Sequence, residues 1–185
     1  MTNWGILPLH LACGFHSSWV ICFYLNAYPE AVHIRDWEGK VPLHHAMSRK
    51  FALPLEVIDH LVQAWPDAVH VQDHHGHLPL HSACASSYEQ PVEVIQAVVK
   101  CWPESLQVHD SKGRLPLHLV CAKQQPSSSM IHYISDCYPE AVHAKDEKLQ
   151  LPLHHACKRK YPLPLEVIEH LIHIWPESCL VACVP

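Results

Sequence analysis

Four stretches of the sequence place a cysteine three residues after a histidine: His10 and Cys13, His81 and Cys84, His118 and Cys121, His154 and Cys157. Imidazole nitrogen and thiolate sulfur are zinc ligands. A cysteine beside a histidine is also the pair from which thiol nucleophiles are made. On a helix, positions i and i+3 share a face, so each pair can present both groups together. Two arguments turn these readings aside. Structural zinc needs four convergent ligands, whereas equivalent side chains on packed helices stand about 10 Å apart. Bonds of about 2 Å place ligands only about 4 Å from one another. A catalytic pair, in turn, needs one special environment, and this pair recurs along the chain. No nucleophile elbow, phosphate loop or paired-carboxylate site stands out. The expectation is no catalytic residue, no metal and no cofactor, with cysteine as a free thiol filling an alanine-sized core slot.

The elements that carry these pairs repeat. The histidine of each pair belongs to the tetrapeptide Leu/Val-Pro-Leu-His, which occurs five times, with its histidines at His10, His44, His81, His118 and His154. An aromatic residue followed by proline keeps step with it, at Tyr28, Trp65, Trp102, Tyr138 and Trp175. The first marker recurs at intervals of 34, 37, 37 and 36 residues and the second at 37, 37, 36 and 37, so the two are in phase. Such self-similarity is the mark of a repeat architecture. The units are approximately 1–35, 36–72, 73–109, 110–145 and 146–185, forming one array over the whole chain.

Each unit reads as two short helices. In the second, Pro42 suits the first helical position, where a missing N–H costs nothing. That helix runs through His44, His45, Ala46 and Met47 and breaks near Arg49. Pro54 opens a second helix in the same way, with Glu56 in its first turn complementing the dipole. Val57, Ile58, Leu61 and Val62 then form an apolar stripe at helical spacing, and Pro66 stops the helix. The chain reaches the next unit through Asp-x-x-Gly, a turn signal found at Asp36 to Gly39, Asp73 to Gly76 and Asp110 to Gly113.

Gly-x-x-Pro-Leu-His-x-Ala followed by helix, turn and helix resembles the ankyrin repeat. The resemblance covers essentially the whole chain, with three departures. Leu7, Val41, Leu78, Leu115 and Leu151 stand where that family has Thr, so the hydroxyl's hydrogen bond is lost and an apolar contact is expected in its place. The units exceed the family's period of about 33 residues. Leu149 stands where the fifth unit's turn glycine should be, so that turn is expected to differ in shape. The resemblance implies an all-α, ankyrin-like repeat solenoid of stacked helix-turn-helix units joined by hairpin-like turns. It also implies a non-catalytic protein–protein interaction module, whose partners meet the turn tips and first helices.

Composition narrows the classes. With 49% hydrophobic residues the 185-residue chain can bury a core. A formal charge of -5 argues against phosphate-backbone binding, and the basic clusters Arg49-Lys50 and Lys158-Arg159-Lys160 read as solvated turns. The first 29 residues lack Asp, Glu, Lys and Arg, but their longest apolar run is seven residues, Trp19 to Leu25. A membrane span needs about 20. Nine cysteines, an odd number without a secretion signal, suit a reducing interior. The expectations are no nucleic acid, no membrane, and a cytoplasmic or nuclear location.

Comparison of the units isolates positions that vary on a fixed frame, as a recognition surface requires. They are Trp37, Glu38, Lys40 and His45; His74, His75 and His77; Lys112 and Arg114; and Glu147, Lys148, Gln150 and His155. The alternative reading is a histidine-rich protein responding to pH or metal. Units two and five are the nearest relatives, and Arg49–Pro54 and Arg159–Pro164 should share one turn shape. Neither end carries an evident polar cap. The tail Glu177 to Pro185 is expected to fold back, or the ends to self-associate, or the array to continue.

Overall fold

The computed structural model describes residues 5–124, 127–158 and 163–176. Residues 159–162 and 177–185 lie outside the described residues, and with them the expectations of a turn shape shared by units two and five and of a tail cap. Within those bounds the chain is all-helical, with no strand. The helices that begin at the Pro-Leu-His motif are α1 (Pro8–Phe15), α3 (Pro42–Ser48), α5 (Pro79–Ala85), α7 (Pro116–Ala122) and α9 (Pro152–Cys157). Their companions are α2 (Ser18–Ala27), α4 (Leu55–Ala64), α6 (Val92–Cys101), α8 (Ser128–Cys137) and α10 (Leu165–Ile174).

Proline sets the starts. It occupies the first helical position in α1, α3, α5, α7 and α9, where its φ is pre-set and its absent N–H is no loss. In α4, α6 and α10 the proline sits one residue earlier than expected, as the N-cap. The aromatic-proline pair does more than stop the second helix. Its proline begins a short 3-10 helix, at Pro29–His33, Pro66–His70, Pro103–Gln107 and Pro139–His143, where the sequence suggested only a linker.

Packing runs between neighbours. α1 packs on α3, α3 on α5, α5 on α7 and α7 on α9, while α2, α4, α6, α8 and α10 form a second row. The core between the rows takes Leu9, Leu43, Leu80 and Leu117 from the motif, with Ile21, Ile58, Ile95 and Ile131 from the second helices, each no more than 2% exposed. Removing each such side chain from water contributes about 1.5–3 kcal/mol. No helix among the described residues is long and apolar enough to cross a membrane.

Candidate functional site

The motif histidines are structural clamps. Their rings are wholly buried at His10, His44, His81 and His118, and His154 is nearly so. In each, Nδ1 accepts the N–H of the residue before the motif proline: Leu7 at 3.1 Å, Val41 at 3.2 Å, Leu78 at 3.2 Å, Leu115 at 3.1 Å and Leu151 at 2.9 Å. That acceptor role leaves the proton on Nε2. Nε2 donates to a carbonyl at the next turn: His10 to Ile34 (3.0 Å), His44 to His77 (2.9 Å), His81 to Val108 (3.0 Å) and His118 to Ala144 (3.1 Å). A second proton, on Nδ1, would face the backbone N–H that this nitrogen accepts. Burial accordingly lowers His10 below its ordinary pKa and pushes His44, His81 and His118 down to about 4. In His10, His44, His81 and His118 the Nδ1 lone pair is taken by the backbone N–H and Nε2 carries the proton, so neither nitrogen is free for a metal.

The turns are built on four buried aspartates. In Asp36, Asp73, Asp110 and Asp146, Oδ1 accepts the N–H groups two and four residues on, at 2.8–2.9 Å. The main chain closes each turn with bonds such as Gly39 N–H to the Asp36 carbonyl, 2.9 Å. The third residue after the aspartate has positive φ: Gly39 at 78°, Gly76 at 72°, Gly113 at 70° and Leu149 at 57°. The expectation for Leu149 is therefore corrected. Its turn keeps the same shape, because the Asp146 bonds hold a side-chain-bearing residue in the left-handed region that glycine occupies elsewhere.

The second carboxylate oxygen takes up several of the residues singled out as recognition candidates. His45 reaches Asp36 at 2.8 Å and His155 reaches Asp146 at 2.9 Å. Asp110 receives Arg114 at 2.7 Å and, from the neighbouring unit, His77 at 3.2 Å. Burial raises the Asp36, Asp110 and Asp146 carboxyls, but these hydrogen bonds outweigh it and hold all three below the ordinary value. In the third unit the place of His45 is taken by Ser82, and Asp73 Oδ2 is buried without a hydrogen-bond partner.

The remaining candidates face water. Trp37, His74, His75, Lys112, Glu147 and Lys148 are exposed, while Glu38 and Lys40 are half-buried and bonded to each other at 2.7 Å. Gln150 is half-buried, its backbone N–H bound to Asp146. The main chain joins successive tips: His74 N–H to Glu38 O at 2.8 Å, Ser111 N–H to His75 O at 2.9 Å, and Glu147 N–H to Lys112 O at 3.1 Å. These ties leave no mark in the sequence, since they use no side chain.

Other chemistry is limited. Cys13 and Cys84 are buried, which pushes both thiols up to about 12, away from nucleophilic use. All cysteines among the described residues are free thiols. The core-slot expectation holds for Cys13, Cys84 and Cys121 but fails at Cys157, which is exposed because no further described helix covers α9. Ser135, His170 and Asp136 meet between α8 and α10, but the Ser135 hydroxyl (3.0 Å) and the Asp136 carboxylate (3.1 Å) both contact His170 Nε2. A proton relay requires them on opposite nitrogens. Among the described residues, no group of three or more His, Cys, Asp or Glu is arranged to hold a metal ion. No family model matches the chain, and none of the curated proteins compared with it matches.

Proposed function

We propose that the chain is an ankyrin-like solenoid that serves as a non-catalytic protein–protein interaction module, a scaffold or adaptor. One observation carries this reading. Four turns of the same backbone shape, at residues 36–40, 73–77, 110–114 and 146–150, are tied neighbour to neighbour by main-chain hydrogen bonds. The side chains they expose differ at every step. A rigid frame that displays varied groups lowers the conformational cost of association and sets specificity through its tips. Helix rows whose main packing is on their neighbours fit the same architecture.

The test compares the protein with a triple variant, His75→Ala, Lys112→Ala and Lys148→Ala, as bait in lysate of the native cell. These side chains are exposed, so their removal leaves the frame intact. The expected result is a protein retained saturably by the wild-type chain and lost from the variant, identified by mass spectrometry. Identical retention profiles for the two baits would count against recognition through the turns.

A further inference from the structure

At the opposite ends of the first helices lies a second surface. The C-terminus of α1, the end of α3 and the two turns that follow α3 and α5 enclose an open cavity of about 320 Å³. Phe15, Phe51 and Tyr88 line it and are 80%, 70% and 43% exposed. Aromatic rings carry 150–250 Å² of surface to bury, roughly, and dominate interface energetics. Three clustered rings left in water form a patch of the kind that marks an interaction site.

The charge of this cavity is opposite to that of the chain. Arg49 and Lys50 line it, and no carboxylate does among the described residues, although the whole sequence carries -5. Lys50 Nζ stands 5.3 Å from the Phe51 ring centroid, a cation held over an aromatic face. Arg49 is anchored by two donations, to the Cys13 carbonyl at 3.2 Å and the His16 carbonyl at 3.0 Å. Its Nε is shielded from solvent and has no acceptor, so a guanidinium fixed in place keeps one donor unsatisfied. Gly14 forms part of the wall, and a Cβ built on it meets nothing within 4 Å.

We propose that this cavity docks a short, extended, acidic segment of a partner protein, which places an aromatic or large aliphatic side chain among Phe15, Phe51 and Tyr88 and its carboxylates toward Lys50 and Arg49. The volume suits one such side chain with its flanking backbone. Arg49 and Lys50, with no carboxylate beside them in the described lining, select the sign of the partner. The inference rests on the protein-binding reading above but assigns a site that shares only His45 with the residues named at the turns.

The test is a displayed library of random short peptides selected on the intact chain. Enriched peptides should carry an excess of aspartate and glutamate around one aromatic or leucine residue. Their binding should weaken about tenfold or more with Phe51→Ala and with Gly14→Glu, which sets a like charge in the cavity, and should fall as salt rises. Gly14→Ala, which adds a methyl group to open space in a helix, should bind as wild type. An enriched set without acidic excess, no enriched peptide at all, or affinities unmoved by Phe51→Ala and Gly14→Glu would overturn the proposal. Peptides lost instead with His75→Ala or Lys112→Ala would overturn it too, while leaving recognition through the turns standing.

Discussion

A histidine that accepts with one nitrogen and donates with the other is locked neutral, and this makes acid the natural denaturant. The folded pKa of His44, His81 and His118 is about 4, against about 6.5 unfolded. Between those values the unfolded chain binds more protons than the folded one, so stability is full above about 6.5 and is lost as pH falls toward about 4. Each of the three residues should remove about 2 kcal/mol between pH 7.5 and pH 5. Urea melts should give a clearly lower midpoint at pH 5, and equal midpoints would show that these rings are not buried neutral. The motif's phase with the second marker made His10, His44, His81, His118 and His154 legible as a repeated structural feature. Which carbonyl each ring clamps was not legible, because the partner lies 24 to 33 residues away and is a backbone atom without sequence identity.

Among elements, the Asp turn tests how far side-chain hydrogen bonds can impose a backbone shape. Leu149 at φ 57° carries a Cβ where three other turns carry glycine. Left-handed backbone costs a side-chain-bearing residue about 1–2 kcal/mol, part of which glycine returns through its freer unfolded state. Leu149→Gly should therefore raise stability by about 0.5–1 kcal/mol. Gly76→Ala should lower it by more, because the added Cβ would stand 2.7 Å from Ser111 N in the next turn. Chemical melts of both variants check the pair of signs. The starts of the first helices were readable from proline, and the stops of the second helices from the aromatic-proline pair, whereas α2 and α8 begin at serine. The sequence misled at Leu149 because the deciding bonds come from Asp146, three residues earlier, and outweigh the local preference.

For the whole molecule, the first three junctions between units are stitched by polar groups that reach backward. Lys123 donates to the Ala83 and Tyr88 carbonyls, Ser86 to Ser48, Gln90 to Arg49, and Arg49 to Cys13 and His16. Cations at helix C-termini also offset the dipole. Cooperativity then depends on every junction being sound. His81→Leu strands the Leu78 N–H and the Val108 carbonyl in the middle of the chain and should cost about 2–4 kcal/mol. It should also lower the urea slope, because the two halves no longer unfold together. A lower midpoint with an unchanged slope would argue for a single indivisible unit. Thiol labelling reads the same packing by another route: Cys101, Cys137 and Cys157 should react quickly with iodoacetamide, and Cys13, Cys84 and Cys121 only on unfolding.

The histidine that closes a 3-10 helix lies against the aromatic ring of the following unit: His33 on Trp65 at 4.9 Å, His70 on Trp102 at 4.4 Å, and His143 on Trp175 at 4.5 Å. Each indole is half-buried at a different junction. The molecule thus carries its own optical gauges. When one junction opens, its indole exchanges an imidazole for water and its emission moves to the red. Chains that retain only one of these three indoles, with Trp4, Trp19 and Trp37 also replaced, would report, junction by junction and without any added dye, where the stack begins to come apart.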